Sequence, residues 1–212
     1  MKKNKIIYEK QLSKSLGFTL REGSLFFSGK NSTRLQKTLN NLTKMLDKLG
    51  IRYLLAGGFA VMLYGFRRFT EDIDIVVTRN DLVKIHRELI GHGYIEIFEG
   101  SRGIRDTETG VRIEFVVAGE YPGDGKPKPV IFPEPDLVKE EIKGIKVVNL
   151  PTLIELKLAS GMTGGFARAH DLKDVYELIR IHKLDEAFAT KLNSTVRNKY
   201  VEILNEIRKK NG

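Results

Sequence analysis

The chain has 212 residues, is 41% hydrophobic and 30% charged, and carries a formal net charge of +9 without a single cysteine. That length suits one medium domain or a domain with an appendage, and the composition is globular rather than disordered or collagen-like. Disulfides, thiolate metal ligands and a cysteine nucleophile are excluded, and no apolar run approaches the ~18 residues of a membrane span.

The N-terminus, MKKNKIIYEK, is basic but has no apolar segment behind it, so it does not read as a secretory signal. A cytoplasmic location is the expectation. Residues 1–33 are irregular, with FTL and LFF as short strand-like runs around Gly23 and Gly29. From Ser32 to Lys48, leucines and a methionine recur at helical spacing, and Gly50 stops the pattern. IRYLLA (51–56) reads as a strand and Phe59–Tyr64 as a short helix. DIDIVV (72–77) is a strand, and 80–91 an amphipathic helix closed by Gly91 and Gly93. YIEIF (94–98) and VRIEFVV (111–117) are further strands. A loop between Gly119 and Asp136 holds five of the six prolines, too many for a central strand. IKVVNL returns as a strand, Pro151 opens a helix running to about Ser160, and 168–182 and 192–209 are two more helices. Strands with interleaved helices followed by helices alone give an α+β or α/β fold with a helical tail. The expected division is a basic N-terminal extension (1–33), a core (34–150) and a C-terminal helical region packed on it (151–212).

Charge is unevenly placed. Residues 1–50 hold 11 Lys/Arg against 3 Asp/Glu and residues 191–212 hold 6 against 2, leaving −3 for the middle. Two basic ends suggest a polyanionic partner such as RNA, the ordinary alternative being a lysine-rich solvated surface.

The chemistry concentrates in GGFAVMLYGFRRFTEDIDI. Side chains alternate along a strand, so Asp72 and Asp74 share one face while Ile73 and Ile75 take the other. Two carboxylates that close raise each other's pKa, and a cation relieves the repulsion. Hard oxygens without sulfur or imidazole favour Mg²⁺ or Mn²⁺. Glu114 offers a third carboxylate by the same parity, provided its strand is a neighbour. Gly57 and Gly58, between strand and helix, allow backbone N–H groups to approach phosphates, and Arg67, Arg68 and Thr70 stand ready for a triphosphate. Taken singly, a Gly-Gly turn is plain turn chemistry and a D-x-D pair a solvated face. Their joint order points to a nucleotide and metal site.

This order resembles the signature of the nucleotidyltransferase superfamily of the DNA polymerase beta type, and more narrowly its minimal toxin-like branch in abortive-infection and toxin–antitoxin systems. Gly57, Gly58, Gly65, Arg68, Thr70, Asp72 and Asp74 match its pattern. LPTLIELKLASG resembles the helix carrying a lysine, here Lys157, and ARAHDLKDVYELI the helix carrying Arg168, Asp171 and Asp174. The resemblance spans roughly residues 40–185. It implies an α+β fold with a polymerase-beta-like mixed sheet flanked by helices, so that 34–150 becomes the nucleotidyltransferase core. It also implies NTP and Mg²⁺ (or Mn²⁺), and transfer of a nucleoside monophosphate to an acceptor. In that reading Asp72, Asp74 and Glu114 hold metal and Glu114 helps deprotonate the acceptor. Gly57 and Gly58 cradle the phosphates, Arg68, Thr70 and Lys157 neutralise them, and Asp171 and Asp174 orient Lys157 or Arg168 by ion pairs. RNA, tRNA above all, is the expected acceptor, gripped by the basic ends. A protein hydroxyl (AMPylation), a small molecule such as an aminoglycoside, and a non-catalytic binding module are the alternatives. An antitoxin is a plausible partner. The chain departs from the family pattern at the third carboxylate, usually Asp, and at His170, often Lys.

Overall fold

The computed structural model describes residues 33–211. Residues 1–32, which hold the FTL and LFF runs of the N-terminal extension, therefore lie outside the described residues. Helix α1 (Arg34–Lys48) starts where Thr33 caps it: the Thr33 hydroxyl accepts the Gln36 N–H at 3.2 Å. Its stripe of Leu35, Leu39, Leu42 and Leu46 is buried, and Gly50 leaves the helix in a left-handed turn at φ +65°.

Strands β1 (Tyr53–Leu55), β2 (Asp72–Val77), β3 (Tyr94–Glu96), β4 (Ile104–Asp106), β5 (Arg112–Val117), β6 (Lys139–Ile142) and β7 (Ile145–Val148) form one mixed sheet in the order β3-β4-β5-β2-β1-β7-β6. β2 runs parallel to β5 and β1 parallel to β7, and the remaining neighbours are antiparallel. Ile73, Ile75, Ile113 and Phe115 are buried among the core residues. With α2 (Gly57–Leu63), α3 (Arg79–Leu89), α4 (Leu150–Thr163), α5 (Ala169–His182) and α6 (Ser194–Asn211), the described residues make a seven-stranded α+β fold flanked by six helices. α4 packs on α5 and on α2, and α6 packs on both α4 and α5.

Three local expectations are corrected. The helix read as Phe59–Tyr64 begins at Gly57, so both glycines are its first turn rather than its approach. β4 was not foreseen, because three residues, Ile-Arg-Asp, are too few to display alternation. β6 was not foreseen either: Lys139, Glu140 and Glu141 are charged and exposed and only Ile142 is apolar, as suits an edge strand paired on one side only. The proline-rich stretch is a loop, closed by backbone bonds between Gly119 and Phe132 (2.8 Å) and between Phe132 and Glu120 (2.8 Å).

Candidate active site

The register of β1 on β2 decides where the glycines sit. Leu55 pairs with Ile75, and the next residue, Ala56, donates its N–H to the Asp74 carbonyl at 2.9 Å. Gly57 therefore lies directly over the Asp74 side chain. A Cβ there would come within 1.8 Å of Asp74 Oδ2, and its φ is +58°. Gly58 is less crowded, though a Cβ there would still meet Thr70 Oγ1 at 2.9 Å. The Gly58 N–H donates to the Asp74 carboxylate, and Thr70 donates its hydroxyl to the Asp72 carbonyl at 3.2 Å, closing the turn into β2. The glycines are thus needed first for carboxylate packing.

Asp72 and Asp74 share a face and both line a cleft of about 310 Å³. Burial pushes the Asp74 carboxyl above its usual range against the pull of Lys157, and Asp72 adds to the rise. Asp74 keeps some exposed surface yet lies deep among protein atoms. Burial also raises Asp72, opposed by Arg112 and reinforced by Glu114 and Glu71. In both groups burial outweighs the neighbouring cations and disfavours the ionised form.

The opposite wall comes from α4 and α5. Lys157 is buried at 7% exposure, between Asp171 at 1% and Asp174 at 2%. Its ammonium bonds the Asp171 carboxylate and lies 2.9 Å from Asp174 Oδ2. Ser160, one turn on, donates to the other oxygen of Asp171 at 2.6 Å, and His170 Nε2 stands 3.4 Å from it on Oδ1. Asp174 in turn binds Arg68. Burial alone would raise Asp171, but Lys157, Ser160 and His170 outweigh it and hold the carboxyl below the ordinary carboxylate range. The two aspartates thus position Lys157 and Arg68. Arg168 is not paired with them: it lines the cleft, exposed, with no ion pair or hydrogen bond among the described residues.

Gly57, Gly58, Arg68, Thr70, Asp72, Asp74, Lys157, Arg168 and Asp171 are brought together in this cleft. Arg67 is exposed and outside its lining. Glu114 is level with Asp74 on the neighbouring strand, as the parity argument requires, but its carboxylate is turned to Arg112 at 2.7 Å and does not line the cleft. Among the described residues no three carboxylates or imidazoles are gathered into a group able to hold a metal. Asp72 and Asp74 thus face the cleft as a pair, with Glu114 beside them on the same sheet but turned to Arg112. Ser160 and the wall residues Pro122, Gly123 and Phe132 were not anticipated. A serine one turn after Lys157 was the available signal for the first, while the loop residues carried none, because only packing brings Gly123 onto Ser160.

Among the described residues, no helix is long and apolar enough to cross a membrane. No curated protein matches the sequence. The chain is similar in structure to an antigenic nucleotidyltransferase-like protein from Paracoccidioides brasiliensis, with 17% identity, TM-score 0.47, and 70% of this chain and 76% of that one covered. It is also similar to a lincosamide antibiotic adenylyltransferase solved with lincomycin, with 19% identity, TM-score 0.46, and coverage of 72% and 99%. Residues 42–210 match the family described as nucleotidyl transferase AbiEii toxin, type IV toxin–antitoxin system. Spanning both the carboxylate strand and the lysine–aspartate helices, that match places the chain in the AbiEii family and makes it a nucleotidyltransferase.

Proposed function

We propose that the chain moves a nucleoside monophosphate from an NTP to a hydroxyl of RNA, tRNA foremost, in a reaction dependent on Mg²⁺ or Mn²⁺. The observation that carries this reading is the cleft in which Asp72 and Asp74 face Lys157, Arg68 and Arg168. The donor set suits a hard cation: two carboxylates on one strand face, both held above their usual pKa chiefly by burial. Asp72 and Asp74 would hold it, with Glu114 as the third carboxylate of the same sheet face. When bound, such a cation supplies charge neutralisation for the attacking oxygen and the departing pyrophosphate.

The chain's own cations have distinct tasks. Lys157 and Arg68 are balanced by Asp171 and Asp174, so as a group they bring geometry and little net charge. Arg168, which has no ion pair among the described residues and acts on Asp74 only through its field, is the residue assigned to the triphosphate. Attack of the acceptor oxygen at the α-phosphorus breaks the α–β anhydride bond and releases pyrophosphate, and the hydroxyl proton would pass to Glu114 once its carboxylate turns from Arg112 into the cleft. The excess of Lys/Arg at the ends supplies the grip on RNA. An antitoxin is the protein partner in this reading, which the family description supports.

The test is incubation of the full chain with each α-labelled NTP, Mg²⁺, total RNA and lysate, followed by RNase or protease. Label lost to RNase is the expected result. Label lost only to protease would replace RNA by a protein acceptor. No label from any of the four NTPs, and no thermal stabilisation by them with metal, would leave a non-catalytic module.

A further inference from the structure

The third carboxylate of the sheet face is held by an arginine. Arg112 opens β5 directly opposite Asp72. Its Nη2 donates to Glu114 Oε1 at 2.7 Å, and its Nε lies 3.8 Å from Asp72 Oδ1. One guanidinium therefore spans the two carboxylates, with the sign and near the place that a shared divalent cation would have. Glu114 is seated on its far side against Gly103, where a Cβ would approach Oε2 to 2.7 Å. Arg112 is itself flanked by Arg105 on β4, which donates to the Gly110 carbonyl at 2.9 Å. The exposed Glu71 adjoins the cluster. The Arg112 side chain is 44% exposed, so its ion pairs are solvent-screened and open readily.

We propose that Arg112 is an internal counter-ion that competes with the divalent cation for Asp72 and Glu114, so that Glu114 enters the site only as Arg112 leaves it. Arg112 is in this sense a positioning residue, acting through Glu114. It makes the metal-free site tolerable by neutralising part of its charge, and it weakens the hold on metal by the work of its own displacement. The inference rests on the reading of Asp72 and Asp74 as metal-holding residues.

Mn²⁺ binding to the full chain, without nucleotide, tests it by calorimetric titration of wild type, Arg112→Gln, Glu114→Gln, the double variant and Asp74→Asn. Arg112→Gln is expected to bind Mn²⁺ about tenfold more tightly, the scale of one screened charge a few ångströms away. Glu114→Gln is expected to weaken binding more in the Arg112→Gln background than in wild type, because there the carboxylate is already free for the metal, whereas in wild type its loss also removes the work of displacing Arg112 from it. Unchanged or weaker Mn²⁺ binding by Arg112→Gln, or additive effects of the two substitutions, overturns the inference. Where Arg112→Gln lowers the melting temperature, Arg112→Lys, which keeps the charge but cannot span both carboxylates, is expected to show an intermediate gain. Equal affinity of Arg112→Lys and wild type overturns it too. If Mn²⁺ binds wild type and requires Asp74 but ignores Arg112, the metal reading stands and only this inference falls. If Mn²⁺ binds none of the proteins, both fall.

Discussion

A methyl group on Gly57 would sit 1.8 Å from Asp74 Oδ2 and demand a φ of +58°, a conformation that costs an L-residue about 1–2 kcal/mol. Gly57→Ala is expected to displace the carboxylate, lower the melting temperature and cut transfer about a hundredfold, the scale of an ångström-sized misplacement. Single-turnover transfer and thermal melting measure both. Asp74→Asn separates chemistry from folding. The folded pKa of Asp74 is raised, so at neutral pH its ionised form is disfavoured by the fold and costs stability. The amide removes that cost while still accepting the Gly58 N–H. Transfer should vanish and the metal-free melting temperature should hold or rise; a clear fall would show that the carboxylate stabilises the fold. At this scale the sequence was informative about Asp72 and Asp74, whose shared face follows from strand parity alone. It was silent about Arg112 holding Glu114, since which of two neighbours a long side chain takes is settled by register and rotamer.

Between elements, α4 and α5 are clamped by charge as well as by Leu153, Leu158, Val175 and Leu178 of the core. Removing Lys157 would leave Asp171 and Asp174 buried without it. Lys157→Ala should destabilise by about 3–5 kcal/mol, as for the breaking of other buried pairs. Asp171 carries a pH signature. Its folded carboxyl lies below the ordinary range, so its contribution is present above the unfolded pKa of about 3.9 and is lost as pH falls through the folded value. Chemical denaturation from pH 7 to pH 2.5 is expected to show a steeper acid loss in wild type than in Asp171→Asn. Parallel curves would show that the pairing does not stabilise the fold. The helices themselves were legible from periodic leucines and from Pro151 near the start of α4, capped by Asn149. The edge strand β6 was not, because it exists through pairing with β7 and not through any pattern of its own.

Across the whole molecule the basic ends are unevenly available. Lys37 pairs with Glu108, Lys209 with Glu206 and Arg208 with Glu186. Lys44 and Lys48 make no ion pair among the described residues, and Lys210 lies over the Tyr176 ring at 5.4 Å. If these three meet RNA, the log-log dependence of affinity on salt should flatten by about 0.7–0.9 per contact on their replacement by Gln. NTP binding should not change, because the cleft is elsewhere. RNA affinity across a salt series for wild type and the triple variant measures this, and indistinguishable slopes would remove these lysines from the acceptor interface.

By itself the sequence determined the types of the longer elements, though not the short strands β4 and β6, the common face of Asp72 and Asp74, and the order of glycines, arginine, threonine and carboxylates that carries the family resemblance. These are local consequences of strand and helix periodicity and of the conformations open to glycine. Tertiary structure decided the rest: that Gly57 presses on Asp74, that Lys157 is shared by two aspartates 14 and 17 residues away, that Arg168 lines the cleft without an ion pair among the described residues, and that Glu114 is held by Arg112. Each of these depends on strand register and on which helix lies over which strand. Both are set by burial of the whole core, to which no short stretch of sequence has access.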